Sequence, residues 1–177
     1  WIPKDKMPKT EAKVYESPAL DGVGIWVENR VKPIQSGKNT EELEKEIKNT
    51  LKETGVEVIV SYLPVGSEKA TQFWAQVCLD TNIAFVNCMP AFIASNKEWA
   101  QKFTDKNIPV IGDDIKGQVG ATIVHRTLAR LCNDRGTKIE NTYQINVGGN
   151  TDFLNMKEQE RLVSKKKSQT ESVQSQL

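Results

Sequence analysis

Two clusters of charged side chains have the types and spacing to do chemistry: the adjacent aspartates Asp113 and Asp114, and the run Lys165-Lys166-Lys167. Neighbouring residues of an extended segment point to opposite sides. One aspartate can therefore face a cleft while the other caps the helix that follows. The lysine run is a solvated face or an anion patch. With no aromatic residue interleaved, it gives no basis for stacking nucleic-acid bases. Gly148-Gly149-Asn150-Thr151-Asp152 is a turn with polar tips, and glycine lets a backbone approach a ligand closely. His125, the only histidine, falls inside a helical segment, so no histidine-based triad and no histidine-rich metal site can be assembled. Cys78, Cys88 and Cys132 are odd in number and match no metal spacing; Cys78 and Cys88, inside apolar segments, read as small buried hydrophobes of a reducing cytoplasm.

These groups need a frame, and the hydrophobic pattern supplies one. Residues 1–17 are Lys- and Pro-rich and read as loop. Gly24–Val31 has the texture of a strand, and 33–39 that of a loop. Thr40 is placed to cap a helix with Glu41 and Glu42 in its first turn, Leu43, Ile47 and Leu51 at four-residue spacing, and Gly55 as its stop. Val56–Leu63 is nearly all apolar and β-branched, as in a buried strand. Pro64-Val65-Gly66 breaks it, and Ser67 caps a helix carrying Ala70, Phe73, Trp74, Val77 and Cys78 on one stripe. Ile83–Cys88 is the next strand. A helix capped near Ser95 turns Trp99 and Phe103 inward, Ile108–Gly112 is the third strand, and a long helix runs from about Lys116 to Asp134. This alternation predicts an α/β fold: a parallel sheet with helices on both faces.

After Gly136 the texture changes. Lys138–Val147 alternates polar and apolar residues, as in a half-exposed strand of a second, antiparallel sheet. Residues 153–163 have a helical pattern. Beyond Ser164 the Lys, Ser, Gln and Thr content predicts a flexible end. In a parallel sheet, ligands bind at the carboxyl ends of the strands. That directs attention to Pro64-Val65-Gly66-Ser67, Asn87-Cys88-Met89-Pro90 and Gly112-Asp113-Asp114-Ile115-Lys116. Ser67 opens a helix whose free N–H groups suit an anion. The same three segments are equally the chemistry of plain turns and caps.

Composition sets outer bounds. Across 177 residues the formal net charge is +1, with 38% hydrophobic and 27% charged residues, an ordinary globular balance. It offers no global attraction to nucleic acid or membrane. The chain opens on Trp1 without an initiator Met and breaks off at Leu177 in mid-pattern, so it is expected to be an internal piece of a longer protein. Neither a G-x-G-x-x-G loop after a strand nor a P-loop occurs.

Taken together, SYLPVGSEKAT (61–71), AFVNCMPAFIAS (84–95), IGDDIKGQVGATIVHR (111–126), YQINVGGNTDFLNM (143–156) and RLVSKKKSQT (161–170) resemble the myo-inositol-1-phosphate synthase family in its shorter bacterial form. The similarity is nearly continuous from about Pro18 to Leu177. It implies that 18–115 is the back half of a Rossmann NAD-binding domain. It implies that 116–177 begins an α+β catalytic and tetramer-forming domain. The implied reaction converts glucose 6-phosphate to inositol phosphate by NAD-dependent oxidation, enolisation, intramolecular aldol closure and reduction. A cytoplasmic homotetramer is implied for the full-length protein. A divalent metal stays open, because the requirement differs within the family.

Carried over residue by residue, the family's cofactor contacts fall on Pro64, Val65, Gly66, Ser67, Cys88, Met89, Asp114, Asn150, Thr151 and Asp152. Lys165 matches a lysine placed between nicotinamide and substrate, an acid/base and oxyanion stabiliser, and Asp152 belongs to the same catalytic set. Three departures stand against the resemblance. Gly117 replaces a usual Ser. Gln169 replaces a second lysine four residues after the first, and an amide neither transfers a proton nor carries charge. The glycine-rich loop is expected before residue 1 and further lysines after Leu177, so the piece alone is expected to be inactive. Gln169 also supports a rival reading, a non-catalytic relative that binds NAD or a sugar phosphate. An ordinary NAD-dependent dehydrogenase is disfavoured by the motifs after the sheet.

Overall fold

The structure is a computed structural model that describes residues 4–177. The predicted N-terminal loop is irregular through the described part, apart from one 3-10 turn at Lys4–Lys6. Its first three residues lie outside the described residues. Among the described residues the fold is α/β, with a three-stranded parallel sheet and six α-helices.

Helix α1 (Thr40–Thr54) starts one residue earlier than the pattern suggested. Asn39 is the cap, not Thr40: its side chain accepts from Glu42 N–H while Glu42 bonds back to Asn39 N–H, a reciprocal capping box. Gly55 ends the helix at φ 67°, the left-handed region that favours glycine. Strands β1 (Val58–Ser61), β2 (Ala84–Asn87) and β3 (Val110–Ile111) pair in parallel in the order β1-β2-β3. They are connected through α2 (Glu68–Thr81) and α3 (Lys97–Asp105), and α3 is capped by Asn96 rather than Ser95.

Side chains alternate between sheet faces. The row Ile59, Phe85 and Val110 meets Ala75, Cys78 and Leu79 of α2, Phe103 of α3, and Leu51 of α1 in one core. The opposite row is not sealed. Val58, Val60 and Ile111 stay about half exposed or more, so the expectation of buried strands with helices on both faces is corrected to one packed face. Apolar composition shows that a strand face wants cover; the covering element has to come from elsewhere in the structure.

Four further expectations change. Gly24–Val31 is a pair of helical turns, with Val27 N–H bonding Gly24 O and Val31 N–H bonding Val27 O; only Val27 turns inward, and no neighbouring strand offers a ladder. Helix α4 spans Ala121–Asp134, five residues short at its start, because Gly117 and Gly120 are poor helix formers and Gly120 is extended. Residues 138–147 form neither strand nor helix and join no ladder among the described residues. Polar Thr142 and Gln144 turn to His125 of α4, while Tyr143, Ile145 and Val147 face solvent. The predicted flexible end is helical: α5 (Thr151–Asn155) and a 3-10 turn (Gln159–Leu162) lead into α6 (Val163–Gln174), which packs against α4. His125 lies on α4, within the helical segment expected, with its ring nitrogens hydrogen-bonded to Gln144 and Thr142. Cys78 is buried, and burial pushes its thiol up to about 12, so it stays an unreactive core group.

Phe103 is fully enclosed at 0% exposure where α3 meets β2. Phe103→Ala should cost about 3–5 kcal/mol through lost burial and the cavity left behind. Urea unfolding monitored by circular dichroism would show it as a lower midpoint; an unchanged midpoint would mean that this core does not limit stability.

Candidate functional site

Beyond β1, β2 and β3 the chain makes three turns that bond to one another. Cys88 N–H donates to Ser61 O, Ile115 N–H to Cys88 O, and Asp114 N–H to Met89 O, each at about 3.0–3.1 Å. These bonds hold Asp114 at φ 61°, a left-handed conformation uncommon for a residue with a side chain. Asn87, also buried, braces the turn: its Nδ2 donates to Ala91 O and to Asp113 Oδ1. The aspartate pair divides as the sequence suggested, with one difference. Asp113 does not cap the next helix; it reaches back and accepts from Ile93 N–H, Ala94 N–H, Ser95 N–H and Ser95 Oγ–H.

Asp114 faces a cleft and is 5% exposed. Its Oδ1 accepts from Lys165 Nζ at 2.8 Å, and its Oδ2 from Lys116 Nζ and Ser168 Oγ, each at 2.6 Å. Burial pushes its carboxyl up. The hydrogen bonds from Lys116, Lys165 and Ser168 outweigh burial together and hold it below the ordinary carboxylate value.

The cleft has a volume of about 1280 Å³. It is lined by Pro64, Val65, Ser67, Cys88, Met89, Asp114, Thr151, Asp152 and Lys165, residues drawn from five separate stretches of sequence. Two expected contacts do not line it. Asn150 is turned to the backbone, where its side chain accepts from Phe153 N–H as the cap of α5. Gly66, at φ 89°, lies under Arg161: a Cβ there would fall 2.5 Å from Arg161 Cβ. Ser67 stands at the start of α2 but makes no side-chain capping bond. That role is taken by Asp21, whose carboxylate accepts from Lys69 N–H at 3.0 Å and Ala70 N–H at 2.8 Å.

Asp21, Asn155 and Arg161 left no signal in the sequence because the partners that place them are distant along the chain. Asn155 Nδ2 bonds Val65 O, and Arg161 Nη2 bonds Asp21 O while its Nε pairs locally with Glu158. Lys116 fell within the strand-end segment singled out from the sequence, and Ser168 within the family-like RLVSKKKSQT string, but neither was given a role there. Among the described residues, no group of three or more His, Cys, Asp or Glu side chains could hold a metal ion. No helix among them is long and apolar enough to cross a membrane.

A three-stranded parallel sheet with a cleft at its carboxyl edge, closed by a lysine-bearing helix, defines the chain as an α/β protein. Residues 120–177 match the family model described as Myo-inositol-1-phosphate synthase. The chain is 49% identical over 171 residues to the inositol-3-phosphate synthase of Mycolicibacterium smegmatis, covering 97% of this chain and 46% of that protein. It is 51% identical over 168 residues to that of Mycobacterium tuberculosis, covering 95% and 44%. The chain belongs to the myo-inositol-1-phosphate synthase family, and it spans less than half the length of these curated relatives. Among solved structures it is similar to Ari2, at 34% identity and TM-score 0.58 over 69% of this chain and 37% of that one. A myo-inositol-1-phosphate synthase-related protein from Thermotoga maritima, 23% identical, shares the fold at TM-score 0.63 over 82% of this chain and 44% of that one.

Because the Asp114 pKa is lower folded than unfolded, its ion pairs stabilise fully above the ordinary carboxylate value of about 3.9, and that stabilisation is lost as pH falls through the lower folded value. Asp114→Asn should lower the urea midpoint at neutral pH, and the gap to the unsubstituted protein should shrink on acidification. A gap that stays constant with pH would show that the ionised carboxylate is not what stabilises the turn.

Proposed function

We propose that this chain is part of an inositol-3-phosphate synthase that converts glucose 6-phosphate to inositol phosphate with NAD. Residues 18–115 would be the back half of a Rossmann NAD-binding domain, and 116–177 the start of the catalytic and tetramer-forming domain of a cytoplasmic homotetramer. The observation that carries this reading is that Asp114, Asp152 and Lys165, far apart in sequence, line one cleft at the strand ends. Identity near one half with named synthases over almost the whole chain supports it further.

The cleft suits a dinucleotide beside a sugar phosphate. Val65, Cys88 and Met89 give apolar walls, and Asp114 and Asp152 give polar anchors. The start of α2 is already filled by the Asp21 carboxylate, so the cofactor's phosphates are not expected there. NAD, when bound, supplies the hydride acceptor and the later hydride return. The protein's share is positional and electrostatic. Lys165 Nζ, held by Asp114, donates to the substrate oxygen where negative charge develops during enolisation and aldol closure. Asp152 anchors the cofactor beside it.

Gln169 also lines the cleft, where the family pattern has a second lysine. Its amide donates only neutral hydrogen bonds, about half as strong as charge-assisted ones. This supports a second reading, a non-catalytic relative that binds NAD or a sugar phosphate.

Steady-state kinetics of the full-length protein separates the two. Lys165→Ala should lower kcat by about a hundredfold or more, as for a lost transition-state donor, with little change in NAD affinity. Asp152→Ala should weaken NAD binding instead. Gln169→Lys should raise kcat. Wild-type kinetics in both Lys165→Ala and Asp152→Ala would overturn the site assignment. A fast parent that gains nothing from Gln169→Lys would remove the support for the non-catalytic reading. The 177-residue piece by itself should turn over no glucose 6-phosphate.

A further inference from the structure

Helix α6 presents three positions from two successive turns to the cleft: Lys165, Lys166 and Gln169. At 3.6 residues per turn, position 169 comes round to within about 40° of 165, and 166 lies about 60° beyond it. Gln169 is thus flanked by a lysine on either side, and the two lysines differ in what they hold. Lys165 and Lys116 are both committed to the Asp114 carboxylate. Lys166 Nζ donates to Gln159 Oε1 at 2.8 Å, a neutral amide that also lines the cleft. Among the described residues, no carboxylate lies within 4.0 Å of it.

The other cations near the cleft are engaged. Arg161 pairs with Glu158 at 3.1 Å, and Lys157 lies over the Trp26 ring at 5.5 Å. Lys167 turns away from the cleft, 5.2 Å from the Phe92 ring centre and 3.9 Å from Glu171. Among the described residues the cleft therefore has two lysines with no carboxylate partner, Lys157 on the Trp26 ring and Lys166 on the Gln159 amide, and of these Lys166 stands on α6 next to the position where the family's second lysine is replaced. Exchanging an amide acceptor for an anionic oxygen gains a charge-assisted hydrogen bond, roughly twice as strong as the neutral one.

We propose that Lys166 binds the phosphate group of the sugar phosphate, supplying the cation that Gln169 lacks. This rests on the synthase reading above. Lys166 is then a substrate-binding residue, and Gln159 is its resting partner when the cleft is empty of anions. Phosphate chemistry is shared by the sugar phosphate and the cofactor's pyrophosphate, so the test treats the two separately.

The measurement is isothermal titration of the full-length protein with glucose 6-phosphate, inorganic phosphate and NAD in turn. Lys166→Met keeps the length and apolar stem of the side chain; Lys166→Arg keeps the charge; Lys167→Met is the neighbouring control. Lys166→Met should raise the Kd for glucose 6-phosphate and for inorganic phosphate about tenfold or more, as for loss of a hydrogen bond to a charged group, and leave that for NAD unchanged. Lys166→Arg should stay near the parent, Lys167→Met should have no effect, and adding Gln169→Lys to Lys166→Met should restore binding. Unchanged affinity for both phosphate ligands in Lys166→Met overturns the inference, as does a loss confined to NAD. These outcomes are read without turnover. A parent that binds phosphate through Lys166 but converts no glucose 6-phosphate would refute the synthase reading and leave the Lys166 assignment standing.

Discussion

The structure turns on one buried carboxylate. Asp114 sits at the carboxyl edge of the sheet, in a left-handed backbone conformation, with two ammonium groups and a hydroxyl on its oxygens. A buried charge is tolerated only when paired and hydrogen-bonded. Lys165 and Ser168 must therefore come to it, and they lie more than fifty residues further along the chain. One ion cluster thus fixes where α6 lies, and with it which side chains close the cleft.

The surrounding elements follow from that constraint. Helix α6 has little apolar face of its own; Val173 is its one buried residue. Such a segment gains little from burial, and polar contacts to Asp114 with packing on α4 define its place. The link between α5 and the sheet has the same character: Asn155 bonds the Val65 carbonyl, and Arg161 lies across Gly66 and reaches Asp21 O. The cleft is held together by hydrogen bonds between distant segments, whereas the α1–α3 core is held by apolar packing.

That division explains what the sequence could reveal. The period of Leu43 and Ile47, the apolar strands and the inward Phe103 record burial, so the parallel α/β alternation was legible. Cap identity was legible only to within a residue: Thr40 and Ser95 are good caps by type, but Asn39 and Asn96 hold those positions. The strand ends and Asp114 could be nominated from the fold, and Lys165 from the resemblance. Asp21 at the start of α2 and Arg161 over Gly66 left no local trace, and Ser168 on Asp114 none beyond its place beside Lys165, because each depends on a partner brought by the fold. The C-terminal run shows the limit most clearly. Its Lys, Ser and Gln content reads as a flexible end, yet a buried carboxylate elsewhere gives it a fixed place.

The central claim is that Asp114 and Lys165 act as a unit, one placing the other in the cleft. A double-mutant cycle in the full-length protein tests it most directly, using Asp114→Asn, Lys165→Ala and the combination, read both in unfolding free energy and in kcat/KM for glucose 6-phosphate. Coupled contacts give interaction energies of about 0.5–3 kcal/mol, and the account predicts a value in that range by both readouts, with the double variant little worse than the poorer single one. Additive losses, with an interaction energy near zero, would contradict it and show that Lys165 reaches the cleft without Asp114.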